Sequence, residues 1–356
     1  MDIVRKLTAG AAALALSVGG LVIPAIVAPS IAQAADNGDW SIFPKTEGGR
    51  GVSPREFFFY DVSPGQEIRD TVVVTNRTDQ PLPLTMYASD AENTAQGGGL
   101  ALKLRDQEMT DVGAWITPDD REIVVPAART NKKGRLVPGE REVDFTVQVP
   151  RNASPGDHVG GVVSIDLRPQ VDPNRPGAQL AIQRANGVRV YARVAGPLSP
   201  QLGVTDVSFV GLDPATLPFV GDQGGTDVRF TVANTGNVRI NPEATLEITG
   251  LFGRSLHKTD VVVPEILPGE TVELVQRVEG MPALDQVTAR IELTSDQFEG
   301  VSAGDGSAWS VSWIFVGVLA VLLIAFIAYA VIRRRRPRAV DASGSPEPVD
   351  NSQASA

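Results

Sequence analysis

Residues 311–332, VSWIFVGVLAVLLIAFIAYAVI, form an uncharged apolar run that Arg333, Arg334, Arg335 and Arg336 follow directly. About 20 apolar residues at a rise of about 1.5 Å each cross the hydrocarbon core of a bilayer. The run therefore predicts one transmembrane helix. Trp309 and Trp313 lie at its outer edge, where amphipathic indoles favour the interface, and the four arginines are expected to stay inside. These six residues are the predicted membrane anchor. Everything before the run is then an ectodomain, in a single-pass type I arrangement at the cell membrane.

The N-terminus supports export. Arg5 and Lys6 precede an alanine- and leucine-rich stretch that ends in Ala32-Gln33-Ala34, so residues 1–34 read as a signal peptide. Gly19, Gly20 and Pro24 interrupt that stretch and make it a poor permanent span. No LPxTG-like motif precedes the second apolar run, so transfer to the wall by a sortase is not expected. Residues 298–310, glycine-rich from 300 to 306, are expected to form a flexible stalk. Residues 333–356 are expected to be a basic, then disordered, cytoplasmic tail.

Charge narrows the functions open to the ectodomain. Of 32 Lys and Arg, two precede residue 36 and five follow residue 332; of 42 Asp and Glu, one and three lie outside those limits. The exported part thus holds 25 basic and 38 acidic residues, a net charge of −13. Such a surface repels nucleic acid. The chain has no cysteine, which removes disulfides, thiol catalysis and thiolate metal sites, and suits a bacterial exported protein.

About 270 residues remain for folded domains, room for two of ordinary size. Short runs rich in Val, Ile, Thr and Phe alternate with Pro, Gly, Asn and Asp, an all-β pattern. Residues 68–76, IRDTVVVTN, end at a polar turn, and residues 227–233, DVRFTVA, alternate polar and apolar before Asn234-Thr235-Gly236-Asn237. Alternation places one strand face in a core and one in water. Pro138-Gly139-Glu140 and Pro268-Gly269-Glu270 each precede a strand, and Pro-Gly is a type II turn signal. The repeated order predicts two tandem immunoglobulin-like β-sandwich domains, residues 36–198 and 201–297, joined through the proline-stiffened segment 196–201. Residues 168–187 are expected to be a long loop or mobile hairpin.

Few residues invite chemistry. His158, in GDHVGG, could be a base or a ligand, but the other histidine, His257, lies in the second domain, and no Gly-Lys-Ser/Thr follows the glycines. Residues 150–160 are expected to connect two strands, the second beginning at Gly161. Residues 89–93 and 119–122 read as acidic turns before calcium loops, and Asn76 and Asn152 begin glycosylation sequons. Phe57-Phe58-Phe59-Tyr60 puts aromatic rings on both faces of a strand, one pair for the core and an outward pair that could form a platform for a sugar or a protein. Phe58, Tyr60 and Trp115 are the candidate ligand contacts, with a core plug as the plainer role for Trp115. No catalytic residue, metal site or cofactor is expected.

The ordered series Phe58-Phe59-Tyr60-Asp61-Val62-Ser63-Pro64-Gly65-Gln66, Val74-Thr75-Asn76-Arg77-Thr78, Ala88-Ser89-Asp90-Ala91, Gly113-Ala114-Trp115-Ile116, and Val149-Pro150 with Pro155-Gly156-Asp157-His158-Val159-Gly160-Gly161-Val162 resembles the N-terminal domain of WxL-interacting proteins in their actinobacterial form. The resemblance spans roughly Trp40 to Gly196. It implies a peptidoglycan-binding domain, a second β domain for host or partner binding, and a C-terminal membrane span. Together with the residues, it predicts a non-enzymatic, membrane-anchored cell-surface protein that binds peptidoglycan or another cell-wall polymer, a surface protein, or both. The alternative is a chaperone-like accessory subunit that holds a secreted protein by strand addition. A wall hydrolase would need paired carboxylates converging in a cleft.

Overall fold

A computed structural model of the chain describes residues 38–46, 55–168, 183–218, 221 and 223–335. The signal peptide, most of the 168–187 segment, Arg336 and the rest of the tail lie outside the described residues.

The first sandwich is built from β1 (Trp40–Pro44), β2 (Phe58–Val62), β3 (Glu67–Asn76), β4 (Leu82–Asn93), β5 (Leu100–Leu102), a one-turn helix α1 (Val112–Trp115), β6 (Ile116–Pro118), β7 (Glu122–Val125), β8 (Arg129–Thr130), β9 (Leu136–Val137), β10 (Gly139–Gln148), β11 (Gly156–Asp166) and β12 (Arg184–Val194). One sheet runs β1-β3-β10-β6 and the other β2-β12-β11-β4-β5, with β7 also on β4 and β8-β9 forming a small hairpin. The inward positions of both sheets, among them Ile42, Phe58, Val72, Val74, Phe145 and Val190, form one dry core. Trp40 fills its edge and donates its indole N–H to Ser164 Oγ at 3.0 Å, so the one polar atom of a large buried ring is satisfied.

The second sandwich comprises β13 (Leu202–Pro214), β14 (Gly224–Asn234), β15 (Glu243–Thr249), a 3-10 turn at Leu251–Gly253, β16 (Ser255–Val261), β17 (Thr271–Glu279), β18 (Leu284–Ser295) and β19 (Phe298–Val311). Its sheets run β13-β14-β17 and β16-β15-β18-β19 around Val228, Phe230, Leu246, Ile248, Ile291 and their neighbours. The all-β class and the tandem sandwiches are thus as the alternation predicts.

Both sandwiches use the same corner. Asn76 is buried at the end of β3 and donates from Nδ2 to the Gln80 and Pro126 carbonyls at 2.7 and 3.0 Å, while its Oδ1 accepts the Thr78 N–H. Asn234 ends β14 likewise, donating to Val238 and Ile266 at 2.8 and 2.9 Å and accepting the Gly236 N–H. The two Pro-Gly-Glu segments lie opposite these asparagines but differ in form: Gly139 is already the first residue of β10, paired with Asn76, so the turn expected there is absent, whereas Gly269 turns at φ 78° and, with Glu270, bonds to Asn234. An amide used up this way cannot accept a glycan, so the sequon at Asn76 is structural.

The stalk is a correction. Residues 298–310 are not a flexible tether but most of β19, paired with β18 from Phe298↔Ser295 to Val311↔Leu284. The glycines have a packing cause: β13 crosses β19 so closely that a Cβ at Gly306 would run into the Val207 carbonyl, and one at Gly304 into Val204. The strand therefore belongs to the second sandwich, and only Ser312 separates it from α2 (Trp313–Arg335), two residues later than the predicted start. Among the described residues α2 is long and apolar enough to cross a membrane, with mean hydropathy 2.9.

Candidate functional site: the elbow between the sandwiches

The segment around His158 is where the two sandwiches meet. β11 begins at Gly156, five residues earlier than predicted, so Asp157 and His158 are strand residues with opposite orientations rather than parts of a turn. A Cβ at Gly156 would collide with the Asn237 carbonyl, and its φ of 123° suits only glycine; this close approach brings the second domain onto the strand.

Asp157 is the electrostatic centre of the contact. Its buried carboxylate takes a bidentate pair from Arg193 at 2.7 and 2.9 Å and the backbone N–H of Arg239, from the second sandwich, at 3.0 Å. Arg239 Nη1 donates to Glu265 at 2.6 Å, and Tyr191 OH donates to the same carboxylate at 3.2 Å. The Arg239 guanidinium stacks 4.3 Å from the Tyr191 centroid and 5.7 Å from that of Phe59. Burial, then the Glu265 carboxylate, push the Tyr191 phenol up to about 12, so it stays a donor.

Hydrogen bonds extend the join on both sides. Asn93 donates to the Glu265 carbonyl at 2.7 Å and accepts the Leu267 N–H at 2.8 Å. Asn237 donates to the Pro155 and Pro197 carbonyls, both at 2.9 Å, and accepts the Ser199 N–H. Further along, the Glu273 N–H donates to the Ala95 carbonyl at 2.8 Å and the Gly97 N–H to the Glu273 carbonyl at 3.0 Å. The β4–β5 loop thereby makes a parallel bridge, Gln96↔Glu273, on the outer edge of β17. Val159, Tyr191 and Leu267 close an apolar cluster between the domains.

Beside this join lies a cleft of about 610 Å³ with Asp90, Trp115, His158, Asn237, Leu267 and Glu270 among its walls. Asp90 is buried on β4, not in an acidic turn, and its carboxylate accepts the N–H groups of Thr110 (2.7 Å), Asp111 (3.1 Å) and Gly113 (2.7 Å). That nest sets the loop that places Asp111 Oδ1 2.6 Å from His158 Nδ1. His158 Nε2 faces the Ser154 carbonyl at 2.9 Å and the Ser154 hydroxyl at 3.4 Å. Burial opposes charge on the ring, but the Asp111 carboxylate, the Ser154 carbonyl and nearby Asp157 outweigh it and raise the His158 pKa. The Asp-His-Ser order resembles a hydrolytic triad, yet Nε2 lies nearer the Ser154 carbonyl (2.9 Å) than the Ser154 hydroxyl (3.4 Å), so the ring is aimed at a backbone acceptor and not at a nucleophile. On the far wall, burial and Glu92 raise the Glu270 pKa, with Lys103 opposing them.

The predicted ligand contacts are placed differently. Phe58 is fully buried in the first core, edge-on to Phe145 at 5.0 Å, so it offers no platform. Tyr60 packs against the same core and donates its OH to Asp70 at 2.9 Å. The outward pair on this strand is Phe57 and Phe59, and both rings serve the elbow, Phe57 edge-on to Tyr191 at 5.1 Å and Phe59 beneath Arg193 and Arg239. Trp115 is buried, its ring 4.8 Å from that of His158. Trp309 stands exposed on β19 rather than beside the helix, while Trp313 opens α2 and Arg333, Arg334 and Arg335 close it. No sequence context singles out Arg193, Arg239 or Glu265, while Asp157, Asn93 and Asn237 fall in stretches whose expected role is a turn or connection and not a join between domains. The one local signal was GDHVGG, whose glycines mark close backbone approach. Among the described residues no group of three His, Asp or Glu side chains could hold a metal ion.

A second groove, of about 980 Å³, lies on the outer face of the first sandwich, bounded by Phe43, Lys45, Arg77, Arg129, Glu140 and Glu142.

No protein-family model and no curated protein matches the chain. Similar solved structures include a chaperone–tip adhesin complex of CFA/I fimbriae biogenesis (10% identity, 76% of this chain, 98% of that chain, TM-score 0.35). The class 5 fimbriae chaperone CfaA shows 10% identity over 76% of this chain and 98% of its own, with a TM-score of 0.33. The Pseudomonas aeruginosa CupB2 chaperone shows 12% identity over 73% and 100%, with a TM-score of 0.30. Scores this low leave the fold to rest on the strand order above and say nothing of what this chain binds.

Proposed function

We propose that this chain is a membrane-anchored, non-enzymatic surface protein whose two sandwiches act as one rigid clamp, holding an extended segment of a secreted or surface protein along the free edge of β17. The observation that carries this reading is the parallel bridge at Glu273. Register along β14–β17 is regular, so the N–H and C=O groups of Val275, Arg277 and Glu279 point the same way as those of Glu273. Among the described residues they have no backbone partner on that side. Strand addition needs such an edge, and the cleft wall at Glu270 leads straight into it. In this reading the clamp lies outside the membrane and the Arg-rich end of α2 in the cytoplasm, as the preference of basic residues for the inner side favours.

A photo-crosslinking residue at position 275 of the full chain tests this in membranes of the source cell. A discrete adduct, absent when the same residue replaces exposed Val262 and abolished by Arg277→Pro in the same chain, supports it. Proline at 277 removes only the outward donor and spares the ladder to β14. Equal adducts at 262 and 275 reject edge addition.

A second reading takes wall polymer as the ligand, at the groove bounded by Lys45, Arg77 and Arg129. The resemblance to the peptidoglycan-binding domain of WxL-interacting proteins favours it, and cations beside carboxylates suit peptide stems that carry both charges. Sedimentation of detergent-solubilised protein with purified sacculi, weakened by Lys45→Ala with Arg77→Ala and by added salt, is the expected result. No retention at low salt removes this reading and leaves the first intact.

A further inference from the structure

The join between β19 and α2 allows little sway. Ser312 is buried, donates its N–H to the Ala283 carbonyl at 2.6 Å and its hydroxyl to the Thr216 carbonyl at 2.9 Å, and its Oγ accepts the Phe315 N–H at 3.3 Å. It is both the cap of the helix and a staple to the sandwich. Whatever lies at this end of the sandwich therefore stays close to the start of the helix.

What lies there is apolar and unpartnered. The β15–β16 turn is pinned to β18: Asp285 Oδ1 accepts the Leu251 N–H at 2.8 Å, and its Oδ2 pairs with Arg254 Nη2 at 2.7 Å. Asp285 in turn lies opposite Ser310, and Leu284 opposite Val311, at the last steps before α2. Phe252, at the tip, is 98% exposed and adopts φ 62°, a left-handed conformation that costs a bulky residue energy. Leu251, Leu284 and Trp309 are exposed on the same end, and Trp313, 80% exposed, opens the helix. An aromatic ring with no intramolecular packing on a strained, firmly anchored turn is not explained by folding.

We infer that the Leu251–Phe252 turn is a second membrane contact, dipping into the headgroup and upper acyl region of the outer leaflet beside α2. The inference rests on α2 crossing the membrane, and it adds that the second sandwich sits on the bilayer instead of standing away from it. Continuity with the apolar helix selects lipid as the occupant. Aromatic and leucine side chains favour this interface, and Arg254 beside them can face lipid phosphates.

The absence of cysteine makes the test clean. Full-length chains carrying Phe252→Cys, Val262→Cys or Val318→Cys are labelled with an environment-sensitive fluorophore and reconstituted into phosphatidylcholine–phosphatidylglycerol vesicles. Val318 lies in the helix, and exposed Val262 follows β16 at the opposite end of that sheet. The label at 252 is expected to be quenched by shallow doxyl lipid at least about twofold more than the label at 262. Quenching at 318 with 252 matching 262 overturns the membrane contact alone. No quenching at 318 overturns the spanning helix, and the contact with it.

Discussion

The carboxylate of Asp90 gathers three backbone N–H donors and thereby fixes where Asp111 meets His158. Asp90→Asn keeps the shape but exchanges an acceptor for a donor, leaving buried N–H groups unmet at a cost of about 1–3 kcal/mol. The urea midpoint of the variant is expected to fall accordingly. His158 responds to pH. Its folded pKa is raised above the ordinary 6.5, so its stabilisation is fully present below about 6.5 and is lost as pH rises through the higher folded value. Two-dimensional NMR of the imidazoles is expected to show the His158 midpoint falling in Asp111→Asn. An unchanged midpoint would assign the shift to Ser154 and Asp157 instead.

At the scale of single elements, β19 shows how a strand can read as a tether. Gly306→Ala forces a Cβ against the Val207 backbone and is expected to destabilise the second sandwich by about 1–3 kcal/mol. Gly203→Ala, on β13 with open space around its Cβ position, is the control expected to unfold like wild type in the same urea series. If both variants match wild type, the crossing of β13 over β19 is looser than described. The misreading is instructive, because glycine has one meaning in a free chain and the opposite one under a crossing backbone, and the local sequence is the same. Alternation in residues 227–233 and the Pro268-Gly269-Glu270 turn made the sandwiches legible, since each is a local consequence of burial or turn geometry. Phe57-Phe58-Phe59-Tyr60 showed two faces but not which pair faced inward, for a continuous aromatic run carries no parity. The elbow was less legible still: Asp157 and Arg239 are 82 residues apart, and neither is unusual where it stands.

Across the whole molecule, the elbow decides whether the protein is two beads on a string or one clamp. An interface between domains in a chain is often loose enough for relative motion. Here the Arg239 N–H on the buried Asp157 carboxylate, two asparagines that each bridge the domains, and a strand-like bridge at Glu273 all cross it. Such a join couples the sandwiches, so the ectodomain is expected to unfold in one calorimetric transition with matching van't Hoff and calorimetric enthalpies. Asp157→Ala deletes the charge that Arg193 and Arg239 surround, a loss of about 3–5 kcal/mol for a buried pair broken on one side. Part of the loss falls on the first sandwich, which holds both Asp157 and Arg193, and part on the coupling through Arg239, so the single transition is expected to split into two with the first sandwich unfolding earlier. Photo-crosslinking at position 275 should weaken in the same variant, since an extended segment shared between the cleft and the β17 edge needs both held in one geometry. Two transitions already present in the wild-type protein, with crosslinking indifferent to Asp157→Ala, would mean that the sandwiches bind independently and that the elbow is only a spacer.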